Sequence, residues 1–154
     1  MTNPFQNFYR YQQRRLGILL GWGLVNMLIG ASLQGTSSSF WKQFGLQACT
    51  WGAIDTVLAI FGIRSARRKE QDFQQAKIEK RSEQKEINWL HRILVINVGL
   101  DVLYILSGAW VLGRFTEQQD RQGLGWGVLI QGLWLFLFDG FLVGEIRRHW
   151  LQRP

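Results

Sequence analysis

The 154 residues suffice for one compact domain, and a mean hydropathy of −0.06 would pass for a soluble protein if the charges were evenly spread. They are not, and the net charge of +7 comes with no helix-turn-helix, zinc-finger or RNA-binding pattern, so it gives no reason to expect a nucleic-acid partner. The single cysteine, Cys49, excludes an internal disulfide and any CxxC metal or redox motif.

Residues 1–15 are polar and basic, with Phe5, Phe8 and Tyr9 at helical spacing, and read as a cytoplasmic or interfacial segment beside a membrane. Residues 16–63 then form an expected first transmembrane hairpin. Its spans cover roughly residues 16–33 and 41–63, joined by the polar turn Gly35-Thr36-Ser37-Ser38-Ser39. The first span is free of charge, and within the second the stretch 43–63 carries only Asp55. Each supplies the roughly 20 mostly apolar residues that a helix needs to cross about 30 Å of hydrocarbon. Arg14-Arg15 followed by an apolar run and Gly30-Ala31-Ser32 loosely resembles a secretory signal, but the repeat described below pairs this span with a later one and argues that it is retained.

Residues 64–91 are rich in Arg, Lys, Glu and Gln and contain no Gly or Pro, so they are expected to stay helical as a charged cytoplasmic linker. Phe73, Ala76 and Ile78 are the apolar residues there that could dock on something. Residues 92–145 form the second expected hairpin, with spans at roughly 92–113 and 123–144. Each of these spans carries one acidic residue, Asp101 and Asp139 respectively. Residues 146–154 are a basic tail. The expected fold is therefore all-α, an integral membrane four-helix bundle built as a tandem repeat of two-helix hairpins.

Orientation follows from the basic residues. Fifteen Lys and Arg lie on the side of the termini and the charged linker, against Lys42, Arg114 and Arg121 on the other, which predicts both termini on the cytoplasmic side of the cell membrane. Trp41, Trp110 and Trp126 are expected at the outer interface, and Trp89 and Trp150 at the inner one. The repeat rests on an ungapped alignment of residues 16–62 with 91–137, in which 11 of 47 pairs are identical, among them Trp51/Trp126 and Gly52/Gly127. Both copies start on the same side, so they would be parallel repeats.

The helix faces carry the functional signal. Asn97, Asp101, Tyr104 and Gly108 share a narrow arc of the third span, and Ala48, Gly52, Asp55, Ala59 and Gly62 form a small-residue stripe on the second. Gly125, Gly132 and Asp139 recur every seven residues on the fourth, and Trp22 and Asn26 share a face of the first. Narrow polar stripes on otherwise apolar helices are expected to turn inward in lipid. Counted from the nearest charged residue at 1.5 Å per residue, Asn26, Asp55, Asp101 and Asp139 fall in one layer about 9–17 Å deep. No Lys or Arg lies within that layer, and an aspartate at membrane depth costs ~2.5–3.5 kcal/mol on insertion scales. Hydrogen bonding between helices is the expected resolution, with Trp22, Asn97, Tyr104 and Gln131 as further polar or aromatic members. Gly17/Gly21, Gly123/Gly127 and Gly140/Gly144 are GxxxG spacings and hint at close packing. Glu145 and His149 would share a helix face, but scattered ligands of this kind are weak evidence for metal, and no metal or cofactor is expected.

The motifs Asn97-x3-Asp101-x2-Tyr104-x3-Gly108, Gly123-x-Gly125 with Gln131-Gly132 and Asp139, and Trp51-Gly52-x2-Asp55 resemble a family of small bacterial four-span membrane proteins of unknown function. The resemblance covers roughly residues 16–144, leaving out the charged linker, and implies a four-helix membrane bundle without implying an activity. No nucleophile–base pair, phosphate loop or metal cluster points to an enzyme. The expected role is a non-enzymatic structural or accessory subunit of a membrane assembly, with a homo-oligomer or another membrane protein as partner and the bilayer as environment. The alternative is a small oligomeric transporter or channel that uses the aspartate layer for ion or proton coupling.

Overall fold

The computed structural model describes residues 7–75 and 80–151, with the side chains of residues 80 and 81 outside that description. Four helices follow one another: α1 (Phe8–Leu33), α2 (Ser39–Gln74), α3 (Lys80–Arg114) and α4 (Gln119–Ile146), the last running on into a π-helical turn (Arg147–Leu151). All four are long and apolar enough to cross a membrane. Phe5, Ala76 and Ile78 lie outside the described residues.

The helix ends are satisfied locally. Asn7 caps α1, its side chain accepting from the Arg10 amide at 3.2 Å. The turn after α1 is tied down by the Gln34 amide, which donates to the Lys42 carbonyl at 3.1 Å. Gln122 does the same for the turn after α3, donating to the carbonyls of Leu112 and Phe115 at 2.9 and 2.7 Å. Those are acceptors that a helix C-terminus otherwise leaves without an intrahelical partner.

The section through the spans inverts that of a soluble bundle. Leu28 is 70% exposed and Leu137 65%, whereas Gly23, Gly30, Gly45, Gly52, Asp55, Asp101, Gln131 and Asp139 are buried. Apolar outside and small or polar inside is the arrangement that hydrocarbon surroundings favour.

Glycines set the helix contacts. In the first pair a Cβ on Gly52 would lie 2.6 Å from the Gly23 carbonyl oxygen, and one on Gly45 would lie 2.8 Å from that of Gly30. In the second pair a Cβ on Gly108 would meet the Gly125 carbonyl at 2.9 Å, and one on Gly132 the Ile105 amide at 3.0 Å. The two pairs of glycines in α2 and α4, 45/52 and 125/132, are thus 80 residues apart, not the 75 of the ungapped alignment. The aligned Gly52 and Gly127 face different neighbours, since a Cβ on Gly127 would meet the Gln47 side chain at 2.6 Å. That close approach, with Gly123 packed on Phe40, brings α4 against α2 near the end that carries the two short turns. Of the GxxxG spacings only Gly123/Gly127 packs; Gly17, Gly21, Gly140 and Gly144 face open space.

At the opposite end the helices outrun the spans and form a small collar. Of the segment read as interfacial, residues 8–15 form the first two turns of α1, and Phe8, Tyr9 and Tyr11 are buried there with Ile87, Leu94, Leu142 and Ile146. The Trp150 ring stands 5.6 Å from that of Phe8 and 4.6 Å from that of Tyr11, so this tryptophan packs on protein where a lipid-interface position was expected. Phe73 does dock, its ring 6.1 Å from Tyr9. The charged linker is helical up to Gln74 and again from Lys80, as the absence of Gly and Pro predicts.

Candidate functional site

Three aspartates come from three helices. The Asp55, Asp101 and Asp139 side chains project from α2, α3 and α4 into the bundle and all are buried. Asp55 sits on the small-residue stripe of α2 that packs against α1, and the glycine stripe of α4 likewise leads to Asp139. Close helix approach therefore carries each carboxylate inward rather than toward the exposed apolar faces.

Gln131, on α4, joins them. Its amide nitrogen donates to Asp55 Oδ2 at 2.8 Å, and its oxygen accepts from Trp22 Nε1 at 3.3 Å. One side chain thus links α1, α4 and α2. Trp22 is held for this by stacking on Trp134, with centroids 4.2 Å apart and planes 20° from parallel. Asn97 on α3 and Asp139 on α4 border the same cavities, and the Asp139 carboxylate lies within electrostatic range of Asp101 and Asp55. Asp101 Oδ2 is buried and has no hydrogen-bond partner.

Asn26 stands apart from this group. It is half-buried, and its amide donates to the Trp22 carbonyl of its own helix at 2.9 Å. Tyr104 is 37% exposed and meets Trp51 edge-on at 5.1 Å, so these two rings bridge α3 and α2 at the rim of the layer.

Two chambers adjoin the layer. One of about 240 Å³ is bordered by Asp55, Asp101, Asp139, Asn97 and Tyr104 together with apolar side chains of α2 and α3. The other, about 350 Å³, runs from Asp139 and Asn97 toward the collar, where Tyr11 and Arg15 line it. Five residues, Leu19, Leu58, Asn97, Phe138 and Asp139, border both.

The collar closes this end with charge. Glu145 accepts from the Tyr11 hydroxyl and from Arg15 Nη2, both at 2.7 Å, tying α4 to α1. Glu70 accepts from Arg10 at 3.0 Å and from Gln13 at 2.6 Å, tying α2 to α1, and Lys69 pairs with Glu86 at 3.1 Å between α2 and α3. The carboxylate considered with His149 as a weak metal ligand is therefore engaged by Tyr11 and Arg15. The aromatic and charged members of this collar were not singled out as a cluster from the sequence; the available signal was Phe8, Tyr9 and Tyr11 within four residues of the start of a helix that continues into the bundle.

No curated protein and no solved structure matches the chain. A family model does, over residues 18–140, which takes in part of each of the four helices, the aspartate layer and the lining of the smaller chamber. The chain belongs to the family of unknown function DUF6992.

Proposed function

We propose that the protein is an integral membrane protein of a bacterial inner membrane, crossing it four times with both termini and the charged collar in the cytoplasm. Fifteen basic residues on the collar side against three on the other support that orientation. Two similar helical hairpins, each closed by glycines seven residues apart on its second helix, support a tandem origin.

Its role in this reading is that of a non-enzymatic structural or accessory subunit in a membrane assembly. The observation that carries it is the way the buried polar groups are used: Trp22, Gln131 and Asp55 fasten three helices to one another. Asn97 on α3 and Asp139 on α4 stand at the same two chambers. Hydrogen bonds of this kind hold helices together where hydrocarbon offers no alternative partner. Purification from native membranes in mild detergent tests the reading. A defined heteromeric complex is the expected result, and a homo-oligomer with no other component overturns it.

A second reading is favoured by one atom. Asp101 Oδ2 has no hydrogen-bond partner and its residue borders a chamber, as an ion- or proton-coupling carboxylate of a small oligomeric transporter or channel would. In liposomes under an imposed pH gradient this reading expects flux in the wild type and none in Asp101→Asn, because an amide does not titrate. Absence of flux in both removes it.

A further inference from the structure

The contacts that fasten the helices leave the chamber beside Asp101 unused. Its walls are apolar and aromatic, with Trp51, Leu100, Tyr104 and Phe138 among them, and three carboxylates border it with no Lys or Arg among its lining residues. Asp101 is 3% exposed, and its Oδ2 atom is buried without a hydrogen-bond partner. A buried polar atom in that condition costs free energy unless something bonds to it.

The chemistry of the walls narrows what that something is. The side chains that could ligate a metal ion do not converge on a common point among the described residues. An inorganic cation would also have to exchange much of its hydration shell for leucine and aromatic rings. An ammonium group carrying organic substituents matches both sets of surroundings. Its charge and N–H groups suit the free carboxylate oxygen, and its carbon skeleton suits the apolar wall. The rings of Trp51 and Tyr104 add the attraction of aromatic faces for a cation.

The second chamber gives the ligand its shape. It continues from Asp139 toward the collar, is bordered by Leu94, Leu142 and Ile146, and shares five lining residues with the first. Together the two fall within the range of small-molecule sites, about 300–1,000 Å³. Leu58 borders both and is 59% exposed, and Leu100 is 47% exposed. These residues stand on α2 and α3 at once on the chamber wall and on the exposed apolar flank of the bundle, the flank that meets lipid in the four-span reading.

We propose that the joined chambers are a binding site for an organic ammonium ion with an apolar tail. The cationic head sits at Asp101 beside the rings of Trp51 and Tyr104, and the tail lies in the larger chamber. Entry is lateral, past Leu58. The site does not rest on the subunit reading, because the Trp22–Gln131–Asp55 bonds are complete without the free oxygen of Asp101; it shares that oxygen with the transport reading, from which binding without flux separates it.

The probe is tritiated 4-phenylbutylammonium, measured by equilibrium dialysis against the full chain in nanodiscs, with empty nanodiscs as background and 4-phenylbutanol as the uncharged competitor. Saturable binding above background is expected, undisturbed by the alcohol. It weakens about tenfold or more in Asp101→Asn, the scale of losing a hydrogen bond to a charged group. Leu58→Trp keeps every carboxylate and changes an exposed position, yet narrows the passage between the chambers, and is expected to weaken binding as well. Uptake equal to that of empty nanodiscs overturns the proposal. So does equal competition by the alcohol, or undiminished binding in either variant.

Discussion

The Gln131 amide donates to Asp55 Oδ2 at 2.8 Å while the Gln131 oxygen accepts from Trp22 Nε1, so a single glutamine on α4 holds both α2 and α1. Removing either end of the Asp55–Gln131 bond leaves a polar group buried among apolar neighbours. A double-mutant cycle with Asp55→Leu and Gln131→Leu is expected to give a coupling of about 0.5–2 kcal/mol, the range for interhelical hydrogen bonds in membranes. Asp55→Leu is also expected to cost more than Asp101→Leu, because Asp101 Oδ2 fastens no helix. Reversible unfolding in mixed micelles measures all of these. A coupling near zero, or a larger loss at Asp101, contradicts the assignment of Asp55 as the helix fastener.

The glycines divide into those that meet a neighbouring helix and those that do not. A Cβ on Gly52 would press on the Gly23 carbonyl at 2.6 Å, backbone that cannot swing aside. Gly52→Ala is expected to destabilise by about 1–3 kcal/mol, as overpacking does. Gly99 has nothing within 4 Å of that position, and Gly99→Ala is expected to stay within about 0.5 kcal/mol of the parent. Thermal unfolding of the two variants side by side separates packing from any general effect of removing glycine.

The collar should be a folded part of the molecule. Tyr9 is fully buried, and Tyr9→Ala is expected to cost about 3–5 kcal/mol, as for other large aromatic truncations. Tyr11→Phe removes the bond to Glu145 while keeping the ring, and is expected to cost about 1.5–3 kcal/mol, as for a hydrogen bond to a charged group. Amide exchange offers an independent check: residues 64–74 and 82–90 should exchange slowly in the membrane-embedded protein. Uniformly fast exchange there would contradict a stable collar.

The orientation is testable by accessibility. In a Cys49→Ser background, Ser37→Cys lies at the exposed turn between α1 and α2 and is expected to react with an impermeant external thiol reagent. A reporter fused after Pro154 should be active only as a cytoplasmic reporter. Periplasmic activity there defeats the proposed topology.

Much of the architecture was legible in the sequence, for a physical reason. A carboxylate in an apolar run is expensive anywhere but inside a bundle, so Asp55, Asp101 and Asp139 announced both the spans and their inward faces. Their individual partners were not legible. Gln131 and Asn97 both lay on polar stripes, but which carboxylate each would meet depends on helix rotation and offset, which glycine contacts set. Asn26 shows the limit of matching depth alone, since its amide found an acceptor one turn back on its own helix. The alignment at 75 residues followed identities such as Trp51/Trp126, whereas the glycines that touch a neighbouring helix recur at 80 in α2 and α4. The collar escaped notice because an aromatic residue beside arginines reads equally well as a lipid-interface anchor. Hydropathy does not distinguish that environment from burial among other side chains.

The continuity of α1 from Phe8 to Leu33 bears on how the molecule is assembled during synthesis. Phe8 and Tyr9 find their neighbours on each later helix in turn: Phe73 on α2, Ile87 and Leu94 on α3, and Ile146 and Trp150 at and beyond the end of α4. The glycine contacts between α1 and α2 need no such wait and can form as soon as the first hairpin is inserted. Biogenesis is therefore staged. In the four-span reading the first hairpin closes before the second, and the Phe8–Tyr9 end of α1 gains its packing in steps from α2, α3 and α4, so its rings stay partly uncovered until α4 is in place. That interval is the one in which a chaperone or a partner chain has the most apolar surface to recognise.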